Sequence, residues 1–201
     1  MPPHRQAVSV TCKPMATVIK ILSVVCLSTL LACNNQADTE KSVPSKTSHQ
    51  VSCVPYYQFD EIEHYFLNME EDKLWDIEQK RKKTEKEKGQ LELLIQFTPD
   101  KLSDTTILKN IEKLDFVKKI IPADKFNQIN EIFCQRKHNE AYAMACIAIY
   151  RDILVFKKEK KIIGTAKLCF SCDQSVITGT TLNTEEFGQS GDYKKLFQLL
   201  H

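Results

Sequence analysis

An α+β domain, with helices packed on a small antiparallel sheet and a C-terminal helix, is the fold that three features of this chain predict. Apolar residues recur at helical spacing between residues 70 and 133. The period then shortens to β-rich runs between 143 and 170. A final helical stripe, Tyr193, Leu196, Phe197 and Leu200, closes the chain. Helices in one block and strands in another favour an antiparallel sheet over the parallel sheet of alternating β–α units.

Each element has its own signal. Ile62, His64, Tyr65, Phe66 and Leu67 predict a strand over residues 61–68. Residues 70–88 are dense in charge around Leu74, Trp75 and Ile77 and predict a helix with a solvated outer face. Thr84 with Glu87 forms a capping-box pattern and starts a helix carrying Leu91, Leu94 and Ile95, which Pro99 ends. Ser103 or Asp104 is placed to cap the next helix, with Ile107, Leu108, Ile111 and Leu114 on one face. Pro122 suits the first turn of another, where a missing N–H costs nothing; that helix buries Phe126, Ile129, Ile132 and Phe133. Residues 143–150, 153–157 and 162–170 read as strands, the last two joined by a charged turn at residues 158–161. The early strand is expected to pair with this sheet while the helices cover one face. Residues 173–191 read as a loop, and 192–200 as the closing helix, with Ser190 as its cap.

The amino terminus carries the strongest positional signal. Residues 21–31 are apolar, with Lys20 before and Ala32 after. The run is far shorter than the ~20 residues a spanning helix needs and has the length of a signal-peptide core. Leu30, Leu31, Ala32 and Cys33 resemble the lipobox of bacterial lipoproteins. That resemblance implies removal of residues 1–32, with Met15 an alternative start, and acylation of Cys33. It also implies a cell-envelope location, with the membrane held through the lipid and the periplasmic face or outer membrane favoured over the cytoplasm. Residues 33–52 are almost wholly polar and read as a flexible tether; residues 53–201 are the single domain. A formal net charge of +2 gives no electrostatic case for nucleic acid.

Of eight cysteines, Cys53, Cys134, Cys146, Cys169 and Cys172 remain in the domain. An oxidising compartment permits disulfides, and an odd number leaves at least one thiol without an intramolecular partner. Cys169-Phe170-Ser171-Cys172 is the constellation that could carry chemistry. Three readings stay open. A disulfide from Cys146 to Cys169 or Cys172 is favoured, because a three-residue hairpin loop at 158–160 sets Cys146 opposite Cys172. A zinc site from Cys134, Cys146, Cys169 and Cys172 has only one Cys-x-x-Cys knuckle, so a bound cofactor is not the favoured expectation. A redox pair Cys169/Cys172 would lack the helix N-terminus that normally lowers a thiol pKa. Residues 146–172, with Arg151, Phe156 and the Cys-Phe-x-Cys, also resemble a set of small uncharacterised bacterial proteins; no activity follows from that.

No His-Glu-x-x-His, phosphate-binding loop or hydrolase elbow is present. His64 and His138 read as structural or exposed. The expected function is therefore non-enzymatic binding of an envelope protein or component, with the 173–191 loop as contact surface. The alternative is a thiol–disulfide oxidoreductase, or a metal-binding domain, using Cys169 and Cys172.

Overall fold

The computed structural model describes residues 53–138 and 145–201. The chain contains a five-stranded antiparallel sheet with helices on both of its faces. Strand β5 (Asp152–Lys158) lies in the middle. Its first five residues are all buried, as a strand covered on both faces requires. It pairs with β2 (Glu61–Phe66) on one side and β6 (Lys161–Cys169) on the other. Edge strands β3 (Val117–Ile120) and β7 (Gln174–Thr178) complete the sheet. A separate ribbon joins β1 (Val54–Pro55) to β4 (Cys134–Gln135).

Strand alternation divides the core. Ile62, Leu154, Phe156, Ala166 and Leu168 point to one face and meet α3 (Phe126–Ile132) and α4 (Asp192–Leu200). Tyr65, Ile153 and Val155 point to the other and meet α1 (Glu71–Gln79), α2 (Glu85–Ile95) and a 3-10 helix, Leu102–Leu114. Helices on one face only was the expectation; two faces are used because β5 is apolar at consecutive positions and leaves no side for water. At the sheet centre Tyr57 stacks on Phe156, with ring centroids 4.5 Å apart. Gly164 makes that possible: a Cβ there would lie 2.1 Å from Cε1 of Tyr57.

Several local expectations change. The helix over 70–88 stops at Gln79, and α2 begins after the capping box of Thr84 and Glu87. The lysine run fills the gap: Lys83 donates to the carbonyls of Glu78 and Lys80, and Lys80 pairs with Glu87 at 2.5 Å. Ser103 donates to Asp104 and caps nothing; Lys101 precedes that helix instead. Residues 145–150 are not a strand, and 139–144 lie outside the described residues. The β5–β6 turn has two residues, Glu159 and Lys160, both at positive φ, with Lys158 opposite Lys161. That is the primed turn matching strand twist, and Asp60 accepts the Glu159 N–H at 2.9 Å. Residues 173–191 include β7, so the loop begins later than expected. Gly191 at φ 80° precedes α4, while Ser190 meets His138 at 2.9 Å.

Candidate functional site

The cysteines fall into two places. Cys53 is joined to Cys134, with Cα atoms 5.6 Å apart, across the β1–β4 ribbon. Cys146 is joined to Cys172, with Cα atoms 6.1 Å apart, where the chain turns out of β6. Cys169 is a free, buried thiol packed with Tyr150 and Cys172. Its sulfur accepts the N–H of Ile149 at 3.3 Å and meets the Ser171 hydroxyl at 3.3 Å. The four sulfurs of the sequence-derived zinc set are therefore not assembled, because Cys134 is engaged by Cys53. Cys169 and Cys172 are neighbours but not bonded to each other. Cys33 lies outside the described residues.

Beside the Cys146–Cys172 bridge a cleft of about 370 Å³ opens under the loop that follows β7. Aromatic rings of Phe97, Tyr150, Phe187 and Tyr193 wall it, and Asp173 and Glu185 supply carboxylates at its edge. No lysine or arginine is among the described residues that line it. Phe97 is 71% exposed. Asp173, held at φ 47° by the turn after the bridge, is aimed by backbone geometry that Asp and Asn tolerate better than most residues.

Two buried polar groups were not singled out by sequence reasoning. Lys167 of β6 is wholly buried, donates to the carbonyls of Gln96 at 2.5 Å and Thr98 at 3.0 Å, and lies 4.8 Å from the Tyr150 ring centre. Burial pushes its ammonium down to about 7. It staples the segment after α2 to the sheet. The other group is Asp152, the first residue of β5, which accepts from two imidazoles on one oxygen: His64 Nε2 at 2.7 Å and His201 Nε2 at 2.9 Å. His64, read from the sequence as structural or exposed, is 3% exposed and belongs to this cluster. His138 is elsewhere, its N–H given to Glu186 and its ring to Ser190.

No family model, no curated protein and no solved structure matches this chain. Among the described residues no helix is long and apolar enough to cross a membrane.

Proposed function

We propose that this chain is a lipid-anchored cell-envelope protein, acylated at Cys33, whose domain binds a protein partner through the cleft beneath residues 179–191. The cleft carries the reading: Phe97 stands exposed at it, and two carboxylates with no cation among its lining residues favour a partner segment presenting lysine or arginine. The Cys146–Cys172 bridge fixes the turn bearing Asp173, which lowers the ordering cost of binding. The two disulfides fit an oxidising compartment. Cys169, the thiol that would attack the Cys146–Cys172 bridge, is 1% exposed, which does not favour an oxidoreductase acting on an outside substrate.

The test places a photoreactive amino acid at Phe97 of the full chain in its own cells, with Val117, equally exposed on β3, as control. A discrete adduct is expected at position 97 alone. It should be lost when Asp173→Asn and Glu185→Gln are combined in a variant with an unchanged melting temperature. Equal adducts at both positions, or an adduct indifferent to the charge removal, would sink the binding reading. Fatty-acid labelling of the Cys33→Ser variant tests the anchor separately and should fall to background.

A further inference from the structure

We infer that His64, Asp152 and His201 form a binding site for a zinc-type divalent transition-metal ion, independent of the cleft above. The three residues reach one point from three elements. Phe66 pairs with Asp152 and His64 with Leu154, so His64 and Asp152 share a sheet face as diagonal neighbours. His201 follows the last turn of α4, its N–H on the carbonyl of Phe197. Two imidazole nitrogens and one carboxylate oxygen then lie within 4.8 Å of one another. Two of these side chains are at least nine-tenths buried: His64 and Asp152 are 4% and 5% exposed.

The donor set has the chemistry of a metal site. Two neutral imidazoles and one carboxylate with an open position are the ligands of catalytic zinc sites and of the two-histidine, one-carboxylate iron sites. An ion at ~2.1 Å from each donor would hold them about 3.4 Å apart in tetrahedral geometry. The present N···O separations of 2.7 and 2.9 Å need to open by about 0.5–0.7 Å, and the two imidazole nitrogens, within 4.8 Å of each other, need to settle at the same spacing. His201 can supply that movement, since its side chain is 27% exposed, and its exposure gives the ion a path in. On entry the cation replaces the two N–H hydrogens aimed at Asp152, and each neutral ring carries its proton on Nδ1 instead.

The surroundings suit the role. The His201 ring stacks on Phe197, with centroids 4.6 Å apart, and meets Phe66 and Phe170 edge-on at 5.1 and 6.3 Å. These rings flank it without competing for its nitrogens. Lys119, opposite His64 on β3, gives its ammonium to the Leu200 carbonyl at 3.1 Å.

Titrating the chelator-treated, oxidised full chain with zinc alone should give one equivalent bound at this site and a higher melting temperature. Cobalt(II) should give the intense visible absorption of a low-coordinate ion. His201→Ala and Asp152→Asn should each weaken zinc binding at least about tenfold, while His138→Ala leaves it unchanged. His201→Ala removes a partly exposed ring beyond the last helix turn, so it remains informative should Asp152→Asn not fold. Absence of zinc binding, or binding equally strong in the His201→Ala variant, would overturn the assignment.

Discussion

At the scale of single residues, the cysteines divide by what their surroundings allow. Cys169 is 1% exposed and ends β6 beside the disulfide, touching Ile149 and Ser171. Reagents cannot reach it in the folded chain. Alkylation without reductant should therefore spare the native domain. In denaturant it should label Cys169 alone among Cys53, Cys134, Cys146, Cys169 and Cys172, as read by peptide mass spectrometry. Label on Cys146 or Cys172 would contradict the pairing. The residues of the metal site show why sequence reading stopped short of it. His64 stood out as a histidine in a strand, but its tie to Asp152 depends on a register between segments 88 positions apart, and His201 joins only once α4 has docked. Cys53 and Cys134 are separated by 81 positions, and nothing local in either segment marks the other.

At the scale of elements, legibility follows burial. The α4 helix and the Thr84–Glu87 capping box were readable to the residue, because an amphipathic stripe and a cap are local signals. The two edge strands were not. Val117–Ile120 is exposed at all four positions, and Gln174–Thr178 is mostly half-buried, so neither carries the alternation that a strand packed on a core must have. What holds β3 is polar. Glu63 of β2, 4% exposed, is ion-paired with Lys118 of β3 and, at 2.6 Å, with Lys157 of β5, and accepts from the Tyr65 hydroxyl at 3.0 Å. Burial by itself raises its carboxyl, but the bonds from Lys118, Lys157 and Tyr65 outweigh it and hold the group below the ordinary carboxylate range. A depressed folded-state value contributes stability above the unfolded value, and that contribution is lost as pH falls through the folded one. Glu63→Gln should thus cost about 1–3 kcal/mol near neutrality. It should also flatten the acid side of the stability–pH curve below about pH 4.5, measured by chemical denaturation across pH. A variant with an unchanged acid limb would show that the three-strand ion cluster contributes nothing.

At the scale of the whole molecule, two bridges close loops of very different size around one sheet. Cys53–Cys134 spans 81 positions and Cys146–Cys172 spans 26. If cross-links act mainly on the unfolded chain, the longer loop should matter slightly more, by under about 1 kcal/mol, with each bridge worth roughly 2–5 kcal/mol. Cys53→Ser with Cys134→Ser, and Cys146→Ser with Cys172→Ser, should both lower the denaturation midpoint, the first pair more. The second pair should in addition loosen the turn that carries Asp173, read as faster amide exchange at residues 173–175. Both faces of the sheet are already filled by helices and by the Tyr57–Phe156 and Leu93–Leu94 packing, so the domain should remain folded without either bridge.

The position of Cys53 has a mechanical consequence. Any pull entering from the amino-terminal side meets the domain at the two-residue β1 ribbon, which hydrogen bonds alone would let unzip at low load. The covalent link carries that tension directly to Cys134, leaving the segment between them, with β2, β3, α1, α2, the 3-10 helix and α3, outside the line of force. Stretching a single oxidised molecule from its two ends should therefore release a contour shorter than the chain by that closed loop and by the smaller one at Cys146–Cys172. Adding reductant should return roughly 270–290 Å of hidden length from the Cys53–Cys134 loop and roughly 85–95 Å from the Cys146–Cys172 loop; the longer step separates a load-bearing bridge from one that only adds stability.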